Sequence, residues 1–250
     1  MVHPIISHTN DHAQTFEAFL ERWLIDQERY LRDLLGLMER NRSEEEEYEV
    51  RCKGLIEQVM GHYKHYFEAK ARVVEENVFL VLMPTWFSSF ERAYLWIGGF
   101  RPGLLFRLVK NNVLDLTEEQ SQRINRLMTE IKEEEKELTD EFDRAQEVVA
   151  SPPMVELVRR LGRLRNGAEH NMESTVDRLK LSLATLVECA DFLRMKTGIM
   201  LVEILKPPQD IRLLAAVAQL QLRVRRWGMQ RDGQNRMHNA IFSDIENRAV

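Results

Sequence analysis

Glycine and proline are scarce in this chain of 250 residues, with 11 and 7 copies. Both residues punctuate turns, so their scarcity argues against a turn-rich β fold and for long helices. Cysteine is nearly missing: Cys52 and Cys189 are the only two. Two isolated thiols make neither a disulfide framework nor a zinc cluster, and they fit a reducing compartment. Long hydrophobic runs are also missing. The apolar run Asn77 to Met83 is too short to cross a bilayer, so no membrane span is expected. Met1 to His12 has no apolar h-region, so no secretory signal is expected. Charge of one sign is not in large excess: the net charge of −5 gives no global attraction to nucleic acid. These absences lead to the expectation of a soluble intracellular chain, in the nucleus and/or cytoplasm.

What is present is a globular composition, 44% hydrophobic and 30% charged. Residues 1–10 read as a flexible arm. From about Asp11, Phe16, Phe19, Leu20, Trp23, Leu24, Tyr30, Leu31, Leu34 and Met38 repeat at helical spacing. Ser43 with Glu46 forms a capping-box pattern that opens a second helix running to about Met83. A third long helix opens at Leu116-Thr117 with Gln120, and its wet face carries Glu133 to Glu137. Ser151-Pro152-Pro153 breaks the pattern. Residues 154–170 have helical spacing weakened by Gly162 and Gly167, and they are basic through Arg159, Arg160, Arg163 and Arg165. Without interleaved aromatics, those arginines pair more readily with the acidic helix before them than with nucleic acid. Two more helices follow, from about Asn171 to Pro207-Pro208 and on to Trp227, with Gly228 as the expected stop. Residues 233–250 lose periodicity and read as a mobile tail. The expectation is an all-α protein: residues 11–232 form a single domain of long, mostly antiparallel helices, a helical bundle.

The search for chemistry finds no P-loop or dinucleotide fingerprint, no nucleophile elbow and no His-linked cysteine signature. His62 and His65 lie one helical turn apart, but neighbouring Tyr63 and Tyr66 favour a packing role over metal binding. The paired carboxylates of Glu133 to Glu137 read as a solvated helix face. No catalytic, metal or cofactor site is therefore expected, and the chain is read as not an enzyme.

One stretch organises the rest: Pro84 to Leu108, PTWFSSFERAYLWIGGFRPGLLFRL. Pro84 stops a helix. Ser88 with Glu91 is a second capping box. Gly98-Gly99 can adopt left-handed angles, and Pro102 suits a first helical position. Aromatics this dense at helical spacing predict a core corner, with Trp86 and Trp96 buried.

Along this stretch the sequence resembles the delay-of-germination (seed dormancy control) domain of land plants. That domain occurs alone in dormancy regulators and C-terminal to the basic zipper in TGA-type transcription factors. The resemblance rests on Trp86, Glu91, Trp96, Gly98, Gly99, Arg101, Pro102 and Arg107. Outside the stretch it rests on Phe19, Trp23, Gln27, His62-Tyr63, Tyr66, Lys70, Glu133-Glu134-Glu135, Leu193-Arg194, Thr197 and Trp227-Gly228 with Arg231-Asp232. It covers nearly the whole chain and implies an all-helical fold.

The function the resemblance implies is a non-enzymatic plant regulator acting through protein–protein interaction in abscisic-acid, seed-dormancy or stress signalling. The alternative is a transcription co-regulator related to TGA factors, or a pollen-aperture factor. A phosphatase or a transcription factor is the implied partner, and homodimerisation through the amphipathic helices stays open. No zipper-like basic region precedes Phe16, so direct sequence-specific DNA binding is not expected. The resemblance places partner binding at Phe19, Leu20 and Trp23. Ala18 and Arg22 depart from the acidic motif there, so phosphatase binding is expected to be weak or lost. Haem-linked histidines of dormancy members are matched here by Gln221 and Arg225. Neither can serve as an iron ligand of that kind, so no haem is expected.

Overall fold

The computed structural model of the chain describes residues 5–39, 45–147 and 169–248, with side chains for 14–39, 46–147 and 176–234. The described residues are all-α. The elements are α1 (Ile5–Glu39), α2 (Glu45–Leu82), α3 (Ser89–Ala93), α4 (Leu104–Asn112), α5 (Glu118–Glu147), α6 (Glu169–Ile204) and α7 (Pro207–Arg248). The Ser43 cap and the basic stretch Arg159 to Arg165 lie outside the described residues.

Helix α1 buries Phe16, Leu20, Trp23, Gln27 and Leu34. Steps of four, three, four and seven residues keep these on one face of a helix. That face meets α2 and α7. Helix α2 is not straight. Asn77 leaves helical angles (φ −158°, ψ 95°), and its side-chain oxygen accepts the backbone N–H of Phe79 at 3.1 Å. The side chain thus restarts the helix that its own backbone interrupts. Helix α5 opens on the expected box: Thr117 Oγ1 accepts from Gln120 N, and Gln120 Oε1 accepts from Thr117 N. Helix α6 packs between α5 and α2.

The core has two parts. The larger gathers around Trp86, Trp96 and Phe106. The smaller lies where α1, α2 and the start of α7 meet, on Leu34, Cys52, Ile56, Val59 and Ile211. Several of these side chains are fully enclosed, and each contributes about 1.5–3 kcal/mol on burial.

Three boundaries differ from the sequence reading. Helix α1 already begins at Ile5, inside the expected arm. Helix α4 begins at Leu104, two residues after Pro102, because Arg101 and Pro102 carbonyls close a tighter turn first. Gly228 does not stop the last helix. It lies inside α7, which continues to Arg248 through the expected tail. The reason is packing: a Cβ at Gly228 would meet the side chains of Ser88 and Phe90. The glycine lets α7 approach α3 closely and is not a terminator.

Candidate functional site

The expected hub is a turn held by a buried charge cluster. Trp96 N donates to Gly99 O at 2.6 Å and Gly99 N to Trp96 O at 3.2 Å. The two residues between them, Ile97 and Gly98, both have positive φ, +44° and +68°. Glycine takes such angles freely, but a β-branched residue at positive φ is strained. Arg194 of α6 offsets the strain. Its Nη2 donates to the carbonyls of Trp96 and Ile97, and its Nε donates to Phe100 O at 2.7 Å. Its Nη1 donates to Asp191 Oδ1 at 2.6 Å, and Lys70 Nζ donates to the same oxygen at 2.8 Å. All three charged side chains are largely withdrawn from water. Burial lowers the Lys70 ammonium to about 8, with Asp191 acting in the opposite direction.

Gly99 lies against the guanidinium, where a Cβ would come 2.7 Å from Arg194 Cζ. At Gly98 a Cβ would come 2.8 Å from Val81. Trp96 is 7% exposed, and its Nε1 donates to Thr139 at 3.0 Å. Arg101 and Arg194 both lie over its ring, at 5.6 and 5.4 Å from the centroid. Pro102 is buried, and Arg107 is exposed. Glu135, from the supposed wet face of α5, is buried and accepts the Gly103 N–H at 2.6 Å. It thereby serves the N-terminus of α4.

A second set of ties joins α7 to the start of this stretch. Ser88 and Glu91 form the expected capping box. Arg225 donates to Trp86 O at 3.1 Å and lies 3.5 Å from Glu91. Asp232 accepts from Ser89 N at 2.8 Å and from the Ser89 hydroxyl. Trp86 is 4% exposed, packed on Phe16. Trp227, grouped with the family core in the sequence reading, is 45% exposed and packs edge-on against Phe90, 4.1 Å between ring centroids.

Of the proposed docking residues, Leu20 and Trp23 lie inside the core and only Phe19 is partly accessible. Trp23 stacks on His62 with centroids 4.2 Å apart, and its Nε1 donates to His62 O at 3.0 Å. Desolvation holds His62 down at about 4, so it is neutral at pH 7. His65 packs against Phe19 instead. Gln27 Nε2 donates to Tyr63 and to Gln221, which ties α1, α2 and α7 together. Gln221 and Arg225, the positions matched to the haem-linked histidines, are thus both in use as interhelical ties. No group of three His, Cys, Asp or Glu among the described residues is placed to hold a metal ion.

The residues of the resemblance, scattered over more than 200 positions, are thus drawn into three sets of contacts: the clamped turn, the ties between α3 and α7, and the junction of α1, α2 and α7. Comparison with known proteins agrees. A family model described as seed dormancy control (DOG1) matches residues 31–111. Protein RESPONSE TO ABA AND SALT 1 of Arabidopsis thaliana is 36% identical over 221 residues, which is 85% of this chain and 94% of that protein. The chain belongs to the seed dormancy control family. Protein DOG1-like 4 of the same plant is 35% identical over 224 residues, 94% of its length. Transcription factor TGA5 is 27% identical over 225 residues, and there the match spans 88% of this chain but 65% of the factor.

Next to the clamped turn, this seed dormancy control domain has a half-open cavity of about 210 Å³. Its walls are mostly apolar, including Met60, Phe67, Leu105 and Val217, with Lys70 and Arg194 among the few polar groups. The volume is below the usual range for drug-sized ligands, about 300–1,000 Å³. Sequence reasoning identified Lys70 and Arg194 through the resemblance but missed Asp191, whose i, i+3 spacing to Arg194 was the available signal.

Proposed function

We propose that the chain is a non-enzymatic regulatory protein of plants that works by binding other proteins in abscisic-acid, seed-dormancy or stress signalling. The observation that carries this reading is the nearly end-to-end match to a protein named for its response to abscisic acid and salt. The structure supports it in one respect. The buried charge cluster Lys70–Asp191–Arg194 is engaged in holding a turn, which gives it a structural task. Perturbed groups in ion-pair networks are often structural rather than catalytic. A nuclear or cytoplasmic location follows from the same reading, and the partner is a phosphatase or a transcription factor.

A second reading, a transcription co-regulator without its own zipper, is favoured by the match of 88% of the chain to TGA5. Affinity capture from salt-treated and abscisic-acid-treated seedling extract, with the full chain as bait, tests both. A phosphatase enriched over a bait-free control supports the first reading, and a zipper-bearing factor supports the second. Enrichment of neither, together with unchanged germination on abscisic acid in plants lacking the protein, overturns the proposal.

A further inference from the structure

Helix α6 exposes apolar side chains on the side away from the core. Leu181 and Phe192 are each 69% exposed and Ile199 is 43% exposed. With Thr185, Glu188 and Met195 they fall at positions 181, 185, 188, 192, 195 and 199. Alternating steps of four and three keep them in one line along a helix. Phe192 stands between two grooves. The groove against α2 is apolar, floored by Phe67, Ala71, Val74, Met195 and Met200. The groove against α5 is acidic, lined by Glu134, Glu137, Asp140, Glu141 and Glu188. Glu134 pairs with Lys196, and Glu141 pairs with Arg144. Glu137, Asp140 and Glu188 have no ion pair among the described residues.

An apolar line beside an unbalanced acidic rim has a complementary shape and charge. We propose that this face of α6 is a docking groove for a basic amphipathic helix of a partner protein, resting on the reading of the chain as an interaction regulator. The partner's apolar residues cover Phe192 and the α2 side, and its Lys or Arg residues lie along the α5 rim. Helix-in-groove recognition uses anchors at this spacing. Opposite charges along the rim add orientation and speed of encounter. A second copy of this chain fits less well. Laid antiparallel about a twofold axis, its own α5 rim would face the first one, acid against acid.

The test uses the full chain and two fluorescent 18-residue peptides. Both carry leucine at i, i+3, i+4 and i+7. One has lysine and arginine elsewhere, the other glutamate. The basic peptide is expected to bind, less tightly as salt rises, and the acidic one is not. Phe192→Ala should weaken binding about tenfold, as loss of an aromatic anchor does. Glu137→Lys with Asp140→Lys should weaken it by a similar factor and flatten the salt dependence. Glu17→Lys with Glu21→Lys, on the exposed side of α1, should leave it unchanged. All these sites are exposed, so the variants should fold.

Equal binding of both peptides overturns the proposal, as does equal loss in the α1 control. Dimerisation in light scattering that Phe192→Ala abolishes would give the face to a second copy and overturn it too. A gain in affinity on replacing Arg159, Arg160, Arg163 and Arg165 by serine would give it to the chain's own basic stretch, with the same result. If proteins captured from seedling extract are retained by both groove variants, the groove assignment falls and the regulatory reading stands.

Discussion

Arg194→Lys separates the charge of the clamp from its shape. The arginine makes four hydrogen bonds at once: three to the carbonyls of Trp96, Ile97 and Phe100, and one to Asp191. Its planar fork makes this possible. A lysine ammonium keeps the charge, but its single nitrogen cannot span the same fan of acceptors. If it holds Asp191 and one carbonyl, two carbonyls in a half-buried turn lose their partner. Each such loss costs about 1–3 kcal/mol. The positive φ of Ile97, about 1–2 kcal/mol of strain, is then held by fewer bonds. The expected loss is about 3–5 kcal/mol. Urea unfolding followed by tryptophan fluorescence and circular dichroism measures it, with an unchanged m-value required for the comparison. Hydrogen exchange at the Trp96 and Gly99 amides reports the turn itself, because both amides are tied across it. A variant within about 1 kcal/mol of wild type, with both amides still protected, would show that the geometry of Arg194 is dispensable.

Trp96→Ala should cost about 3–5 kcal/mol by opening a cavity in the main core, and a melting point within a degree or two of wild type would refute that. Gly98→Ala should destabilise by about 1 kcal/mol or more through its positive φ and the approach of Val81, read as a shift in the urea midpoint. His62 is held at about 4 chiefly by burial against an unfolded value of 6.5, so the unfolded chain takes up its proton first as pH falls. The His62 contribution to stability should therefore fall between about pH 6.5 and 4, against the opposite trend set by Asp210, which burial raises to about 8. The difference between the wild-type and His62→Phe profiles should show that fall, with the ring kept on Trp23. Hemin titration should give no sharp stoichiometric Soret shift, and a shift abolished by His62→Ala would mean that a haem site exists elsewhere in the chain than at Gln221 and Arg225.

The helices were legible in the sequence because apolar spacing and capping boxes are local signals. Ser88–Glu91 and Thr117–Gln120 form the reciprocal bonds that their spacing predicts. The burial of Trp86 and Trp96 was legible for the same reason. Three features were not. The Asn77 kink is made by a side chain closing on its own backbone within a run of good apolar periodicity. Ile97 at positive φ has no sequence signature, since turn rules ask for Asn or Asp there. The burial of Glu135 looks in sequence like one more carboxylate on a wet face, and only the arrival of Gly103, 32 positions away, distinguishes it. Gly228 was misread because a glycine ending an apolar pattern and a glycine allowing close helix packing look alike until the facing helix is known.

The residues that identify the family are, for the most part, the residues that hold the bundle together. Trp23, Gln27, Lys70, Glu91, Trp96 and Arg194 are each engaged in a tertiary contact and largely shielded from water. A partner cannot read side chains that the fold has already enclosed. Leu20 and Trp23 fall under this limit, so docking through them would need α1 to lift from α2 and expose a large part of the main core. That opening would lose several buried aromatic contacts, each costing on the order of 1 kcal/mol beyond the burial itself. Exposed side chains carry no such cost. The groove proposed on the outward line of α6 needs no such opening, because Leu181, Phe192 and Ile199 already face water.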